Sequence, residues 1–179
     1  VDGNLRLNPT TVFRFRAVRT LHKALGDQEE SGHMLTARWV RGGRHVDWDL
    51  FLYQISPDLD TDVGFVRRRD VRQASTALGY RFWPETWLIN WGPRVTYMRN
   101  YTFDDVLQDE RFGLSTQFQF ARNINISGTL TNSLERFLGT DFEKTRFSLR
   151  GRVNTNRTYQ LGANFSTGDQ VRFSATPFL

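Results

Sequence analysis

Residues 111–137 alternate apolar and polar side chains with a period of two. Phe112, Leu114, Thr116, Phe118 and Phe120 fall on one face; Arg111, Gly113, Ser115, Gln117 and Gln119 fall on the other. Successive side chains of a strand point to opposite faces, so this stretch predicts a strand with one apolar and one polar face. Its continuation is less regular, because Ile124, Ile126, Leu130 and Leu134 share a face with Asn132. The same alternation recurs along the chain. Residues 9–22 set Phe13, Phe15, Ala17 and Leu21 against Arg14, Arg16, Thr20 and His22. Leu35, Ala37 and Trp39 alternate in 33–41, and 44–55 is mixed. Residues 70–83 oppose Ala74, Thr76, Leu78, Tyr80 and Phe82 to Gln73, Ser75, Gly79 and Arg81. Residues 87–101 oppose Trp87, Ile89, Trp91, Val95, Tyr97 and Tyr101 to Asn90, Gly92, Arg94, Thr96 and Asn100. Residues 145–154, 158–167 and the stretch from 170 repeat the pattern, with Arg146, Arg150, Arg152 and Arg172 on their polar sides. No segment has the spacing of a long amphipathic helix. The chain therefore reads as all-β, about ten strands in consecutive hairpins, and one domain over residues 1–179.

The connections add a second pattern. Tight turns are expected at 41–44, 83–86, 121–125 and 154–157, and long loops at 22–33, 56–70, 100–111 and 135–144. Only 167–170 is short where a long loop is due. Antiparallel neighbours alternate ends, so the tight turns gather at one end of the sheet and the long loops at the other. Outer-membrane barrels are laid out in this way.

Composition narrows the choices. There is no cysteine, which excludes a disulfide framework and a thiolate metal site. The formal net charge of +5 is carried almost wholly by arginine. These arginines are scattered along strands, not gathered in a run, so a nucleic-acid face is not expected. No run of eighteen apolar residues is present, which excludes a helical span but not a barrel, whose strands are only half apolar. Val1 is not an initiator methionine and no signal peptide precedes it, so the expectation is a processed chain or a piece of a longer one.

The apolar faces must look at either a protein core or lipid. A soluble β-sandwich or lipocalin-like barrel also alternates, with its apolar face inward. Three features favour lipid. The polar faces hold Gly, Ser, Gln, Asn and single Arg residues, with only two lysines in the whole chain. Trp83, Trp87 and Trp91 sit near one predicted turn, and Tyr97, Tyr101 and Phe103 near the opposite end, as interfacial girdles require. The segments run nine to sixteen residues, long for globular strands and suited to a tilted crossing. The expected fold is an antiparallel up-and-down transmembrane β-barrel in a Gram-negative outer membrane, whole or part of a larger barrel.

"DVGFVRRRD" (62–70), the alternating strand after it and "YRFWP" (80–84) resemble a family of uncharacterised proteins. Their C-terminal part is an outer-membrane-type barrel, often preceded by a carbohydrate-binding module of the family-nine type. The resemblance implies location and architecture rather than chemistry, with carbohydrate as a partner through the missing module.

Several constellations could carry chemistry. Asp58, Asp60 and Asp62 alternate in a long loop and invite a calcium reading. Gly64 is seventh and Arg69 twelfth from Asp58, whereas an EF-hand loop wants glycine sixth and glutamate twelfth. A solvated acidic loop is the plainer reading. Arg67, Arg68 and Arg69 could pair with lipopolysaccharide phosphates or with the neighbouring aspartates. His33 beside Ser31, with Asp27, Glu29 and Glu30 near, is the one local candidate for a hydrolase site, and His22 and His45 have no such neighbours. No nucleophile-elbow motif accompanies it, so an enzyme is the weaker alternative, and no cofactor is expected. Arg14, Arg16, Arg81, Arg94, Arg111, Gln117, Gln119, Arg146, Arg150, Arg152 and Arg172 would line the lumen of a barrel, where arginines favour anions or acidic sugars. The expected role is passive: a pore, or a membrane anchor for a binding domain. Its partners are outer-membrane lipid and lipopolysaccharide, with other envelope subunits in a larger assembly. The alternatives are a soluble β-sandwich or barrel binding module and an outer-membrane hydrolase.

Overall fold

The computed structural model describes residues 1–23, 29–60, 68–137, 139–154 and 159–170. They form ten strands: β1 (Asp2–Asn8), β2 (Thr11–Lys23), β3 (Glu29–Gly42), β4 (Val46–Ile55), β5 (Val71–Tyr80), β6 (Leu88–Tyr101), β7 (Leu107–Phe120), β8 (Ile124–Phe137), β9 (Thr140–Val153) and β10 (Leu161–Gly168). The strands follow one another in a single antiparallel up-and-down sheet of order β1 to β10. One three-residue 3₁₀ turn, Ala121–Asn123, is the sole helical element among the described residues. β1, whose Leu5 and Leu7 alternate with Asn4 and Arg6, was not anticipated from the sequence. Of the segment expected from residue 170, residues 171 onward, Arg172 among them, lie outside the described residues.

The ten strands form an open sheet. Among the described residues β1 pairs only with β2, and β10 only with β9. The up-and-down architecture is as the alternation predicts, while closure into a barrel is not formed by these ten strands.

The expected asymmetry of the connections is mostly replaced by longer strands. β8 and β9 continue to Phe137 and Thr140, so the predicted loop at 135–144 is a hairpin whose connection is 138–139. β6 and β7 likewise leave only 102–106 of the predicted 100–111 loop, and β2 and β3 leave only 24–28 of 22–33. In the β6–β7 and β8–β9 hairpins the physical reason is cross-strand charge pairing. Arg136 binds Asp141 through two bonds of 2.6 and 2.8 Å, Lys144 reaches Glu135, and Arg99 Nε meets Glu110 at 3.0 Å. Each pair sits directly opposite or diagonally across the ladder, where opposite charges stabilise it. Polar stretches that read as loops are strand extensions. Only 56–70 remains a long connection.

Register sorts the side chains into two faces. One row runs Arg41, Trp48, Leu78, Val95, Leu114, Leu130 and Phe147 across β3 to β9. The next runs Phe13, Trp39, Leu50, Thr76, Tyr97, Phe112 and Asn132 across β2 to β8. Both lie on the apolar face. The segment 44–55, mixed in the sequence, resolves here: Val46, Trp48, Leu50 and Leu52 join the apolar face, and Asp47 and Asp49 the other.

Nothing covers that apolar face among the described residues. Ile55, Leu59 and Val71, each 2–3 % exposed, are the only buried apolar side chains among them. Leu50, Leu78, Val95, Phe112, Leu114, Leu130, Phe147 and Leu149 are exposed. The chain presents 13203 Å² of accessible surface, whereas a compact protein of 20.9 kDa presents about 9000 Å². A single sheet has no second layer to hide its apolar stripe.

The small core lies at the end of the sheet where residues 56–60 fold back. Leu59 packs on Ile55 and Val71, with Met34 and Tyr53 against them. A Cβ on Gly32 would stand 2.2 Å from the Leu59 Cα, so only glycine admits this approach. Ser56 Oγ accepts from the His33 amide at 2.8 Å and the Ser56 amide donates to the His33 carbonyl at 2.9 Å, which extends the ladder. Leu59→Ala is expected to open this fold-back with a loss of about 2–3 kcal/mol, read as faster hydrogen exchange at the Ser56 amide. Exchange no faster than in the parent protein would show that Leu59 does not hold the segment.

Candidate functional site

The polar face holds the chemistry. Arg14, Arg16, Arg94, Arg111, Gln117, Gln119, Arg146, Arg150 and Arg152 all share it, and Arg81 follows β5 on the same side. Their distribution is not uniform, and pairing divides the face into two regions.

At mid-sheet, charges are matched. Arg38 Nε donates to Asp49 at 2.9 Å across β3 and β4. Arg94 of β6 pairs with Asp47 of β4, reaching across β5. Gly79 of β5 lies between them, and a Cβ there would stand 2.7 Å from Asp47 Oδ1. The missing side chain makes room for a tie spanning three strands, a distance of about 10 Å. Asp109 accepts from Arg68 Nη1 at 2.9 Å and from Asn100 Nδ2 at 3.0 Å.

Elsewhere on this face most arginines are unmatched. The side chains of Arg14 and Arg16 on β2, Arg111 on β7 and Arg146, Arg150 and Arg152 on β9 form no hydrogen bond or ion pair with another described residue, while Asp47, Asp49, Asp109 and Glu135 are already engaged. Two adjacent rows then build a trough. Gln117, Ser127 and Arg150 lie side by side in one row, and Gln119, Asn125 and Arg152 in the next. Gln117, Asn125, Ser127, Arg150 and Arg152 line a hollow of about 380 Å³. It continues into a second of about 220 Å³ that shares Gln117 and Ser127 and includes Arg81, Asn90 and Arg94. Asn90 donates to Gln119 at 2.7 Å, which orients both amides at its floor. Asp47, bound to Arg94, is the trough's one carboxylate among the described residues.

The opposite face carries an aromatic cluster at the end of the sheet holding the 81–87 and 121–123 connections. Trp91 stacks between Phe82 (4.6 Å) and Phe118 (5.8 Å), and Trp87 lies over Phe120 at 5.6 Å while 72 % exposed. Trp39 meets Trp48 edge-on at 5.5 Å, and the Arg41 guanidinium lies 5.1 Å over the Trp48 ring. Trp83 donates its indole N–H to the Arg44 carbonyl at 2.8 Å, between the guanidiniums of Arg44 and Arg81. At the other end the apolar face becomes polar: Gln54, Arg72, Arg99, Glu110, Asn132 and Glu143 occupy its positions. Beyond that border, at the β8–β9 tip, the Arg136 hydrogen bonds hold the Asp141 carboxyl below its ordinary range.

Other sequence candidates are not assembled. The His33 ring packs edge-on against Phe103 at 5.8 Å, and no hydrogen bond joins it to Ser31. Asp27 and the side chains of Glu29 and Glu30 lie outside the described residues. Asp60 pairs with Arg69 at 2.8 Å, and Asp62 and Arg67 lie outside the described residues. With Arg68 on Asp109, two of the three consecutive arginines are held by carboxylates of this chain. No group of three metal-ligating side chains gathers among the described residues. The tie over Gly79 and the roles of Asn90, Asn125 and Ser127 are not legible in the sequence. Their signal, a glycine opposite an acid, appears only once register is known.

No protein-family model matches the chain, and no curated protein or solved structure matches it.

Proposed function

We propose that this sheet is the wall of a transmembrane β-barrel of a Gram-negative outer membrane. The observation that carries the reading is the uncovered apolar face: it runs across the sheet from β2 to β10, while the described residues bury almost no apolar side chain elsewhere. Water does not tolerate so large a contiguous patch on a monomer. Lipid does. On β7 the band runs from Phe112 to Phe120, about 27 Å along the strand, which a tilt of roughly 40° reduces to about 21 Å between backbone positions, and the flanking side chains bring it near the 25 Å of such bands. Aromatic rings at one border and charged residues at the other suit the two interfaces of a bilayer.

Backbone groups at an open edge find no partner in hydrocarbon, so β1 and β10 must pair there with each other, with further strands or with another copy. Residues 62–84, which resemble the outer-membrane family, support the same reading on sequence grounds. The role is passive, as a pore or as the membrane anchor of a binding domain. The expected behaviour is monodisperse β-rich protein in detergent micelles and aggregation once amphiphile is removed. A folded, monodisperse protein in plain buffer would overturn the proposal. Stepwise currents in planar bilayers would assign a pore, and silence from inserted protein an anchor.

A further inference from the structure

We infer that the trough on the polar face is a binding site for an oxyanion-bearing solute, centred on Arg150 and Arg152. Three observations converge on it. The two guanidiniums stand two residues apart on one face of β9, with no counter-charge among the described residues. Like charges so placed repel, and a bound anion relieves that repulsion. Around them the lining is all hydrogen-bonding: Gln117, Asn125 and Ser127 complete a hollow of about 380 Å³, enough for a phosphate- or carboxylate-sized group with its water. The one carboxylate of the connected hollow, Asp47, is neutralised by Arg94, so nothing there repels an anion.

Guanidinium is a planar fork that matches the paired oxygens of phosphate, sulfate or carboxylate. The amides and the hydroxyl take up the remaining oxygens. No aromatic residue lines the hollow around Arg150 and Arg152, which leaves no stacking platform there for a neutral sugar ring or a base. Recognition therefore rests on charge and hydrogen bonding. The site is defined by these side chains and takes from the membrane reading only that this face looks onto water.

Calorimetric titration of the full chain, folded in a neutral detergent, tests the inference with inorganic pyrophosphate, citrate and glucose as probes. Saturable binding of pyrophosphate or citrate, and none of glucose, is expected. Preference between the two anions tells phosphoryl from carboxylate ligands. The R150Q and R152Q double substitution keeps the side chains polar and is expected to weaken binding at least about tenfold, since two charge-assisted contacts are lost. R44Q, which removes an arginine paired with Glu85 at a turn, should leave binding within about twofold. Absence of anion binding overturns the site, as does binding unchanged in the double variant. An equal loss on the R14Q and R16Q double substitution, on β2, also overturns it, because binding would then follow diffuse charge. Detergent dependence is measured separately, so a failed membrane reading and a failed anion site give different results.

Discussion

Leu114→Arg is expected to destabilise the protein folded in lipid vesicles by about 2–4 kcal/mol, as arginine does near the midplane of the lipid face of a barrel. Leu114 stands in the middle of the row Leu78, Val95, Leu114, Leu130 and Phe147, and all five are exposed. No described residue covers them, so any apolar environment they meet is supplied from outside the described residues. The control is three residues away. Gln117→Arg places the same charge on the polar face, where side chains meet water, and should change stability by less than about 1 kcal/mol. Urea unfolding from vesicles, followed by tryptophan fluorescence, reads both. Equal effects of the two substitutions would mean that the apolar face does not meet hydrocarbon.

Asp47→Ala should cost about 1–3 kcal/mol, because it leaves the partly buried Arg94 without its carboxylate. The cost exceeds that of an ordinary surface pair because this tie joins strands that are not neighbours. Gly79→Val should cost as much by another route, since its side chain would displace the Asp47 carboxylate. Removing both charges in Asp47→Ala with Arg94→Ala should recover most of the loss, since no orphaned charge then remains. A double-mutant cycle with no coupling between the two positions would remove the tie from any account of how β4, β5 and β6 are held.

Much of the fold is legible in the alternation alone. Phe112, Leu114, Phe118 and Phe120 alternate with Arg111, Gln117 and Gln119, and a period of two is a local property of strands. The loops are less legible. Residues 135–144 hold Arg136, Asp141, Glu135 and Lys144, and charge density along a chain reads as a loop. Only when β8 and β9 are in register do the four charges become two pairs that hold strand beyond the apolar band. The hydrolase candidate shows the same limit in reverse. Ser31 and His33 are close in sequence, yet the ring is packed on Phe103, which comes from a distant connection between β6 and β7.

By itself the sequence determined that this chain is a string of antiparallel strands, each with an apolar and a polar face. It also determined that the polar faces are rich in arginine. The tertiary structure decided three further things: that the sheet is a single open layer, that its apolar faces join into one uncovered surface, and which arginines have partners. The division has one physical cause. Facing is set by the geometry of a single strand, whereas pairing depends on register between strands far apart in sequence. That register leaves Arg94 neutralised over Gly79 and Arg150 and Arg152 open to an anion.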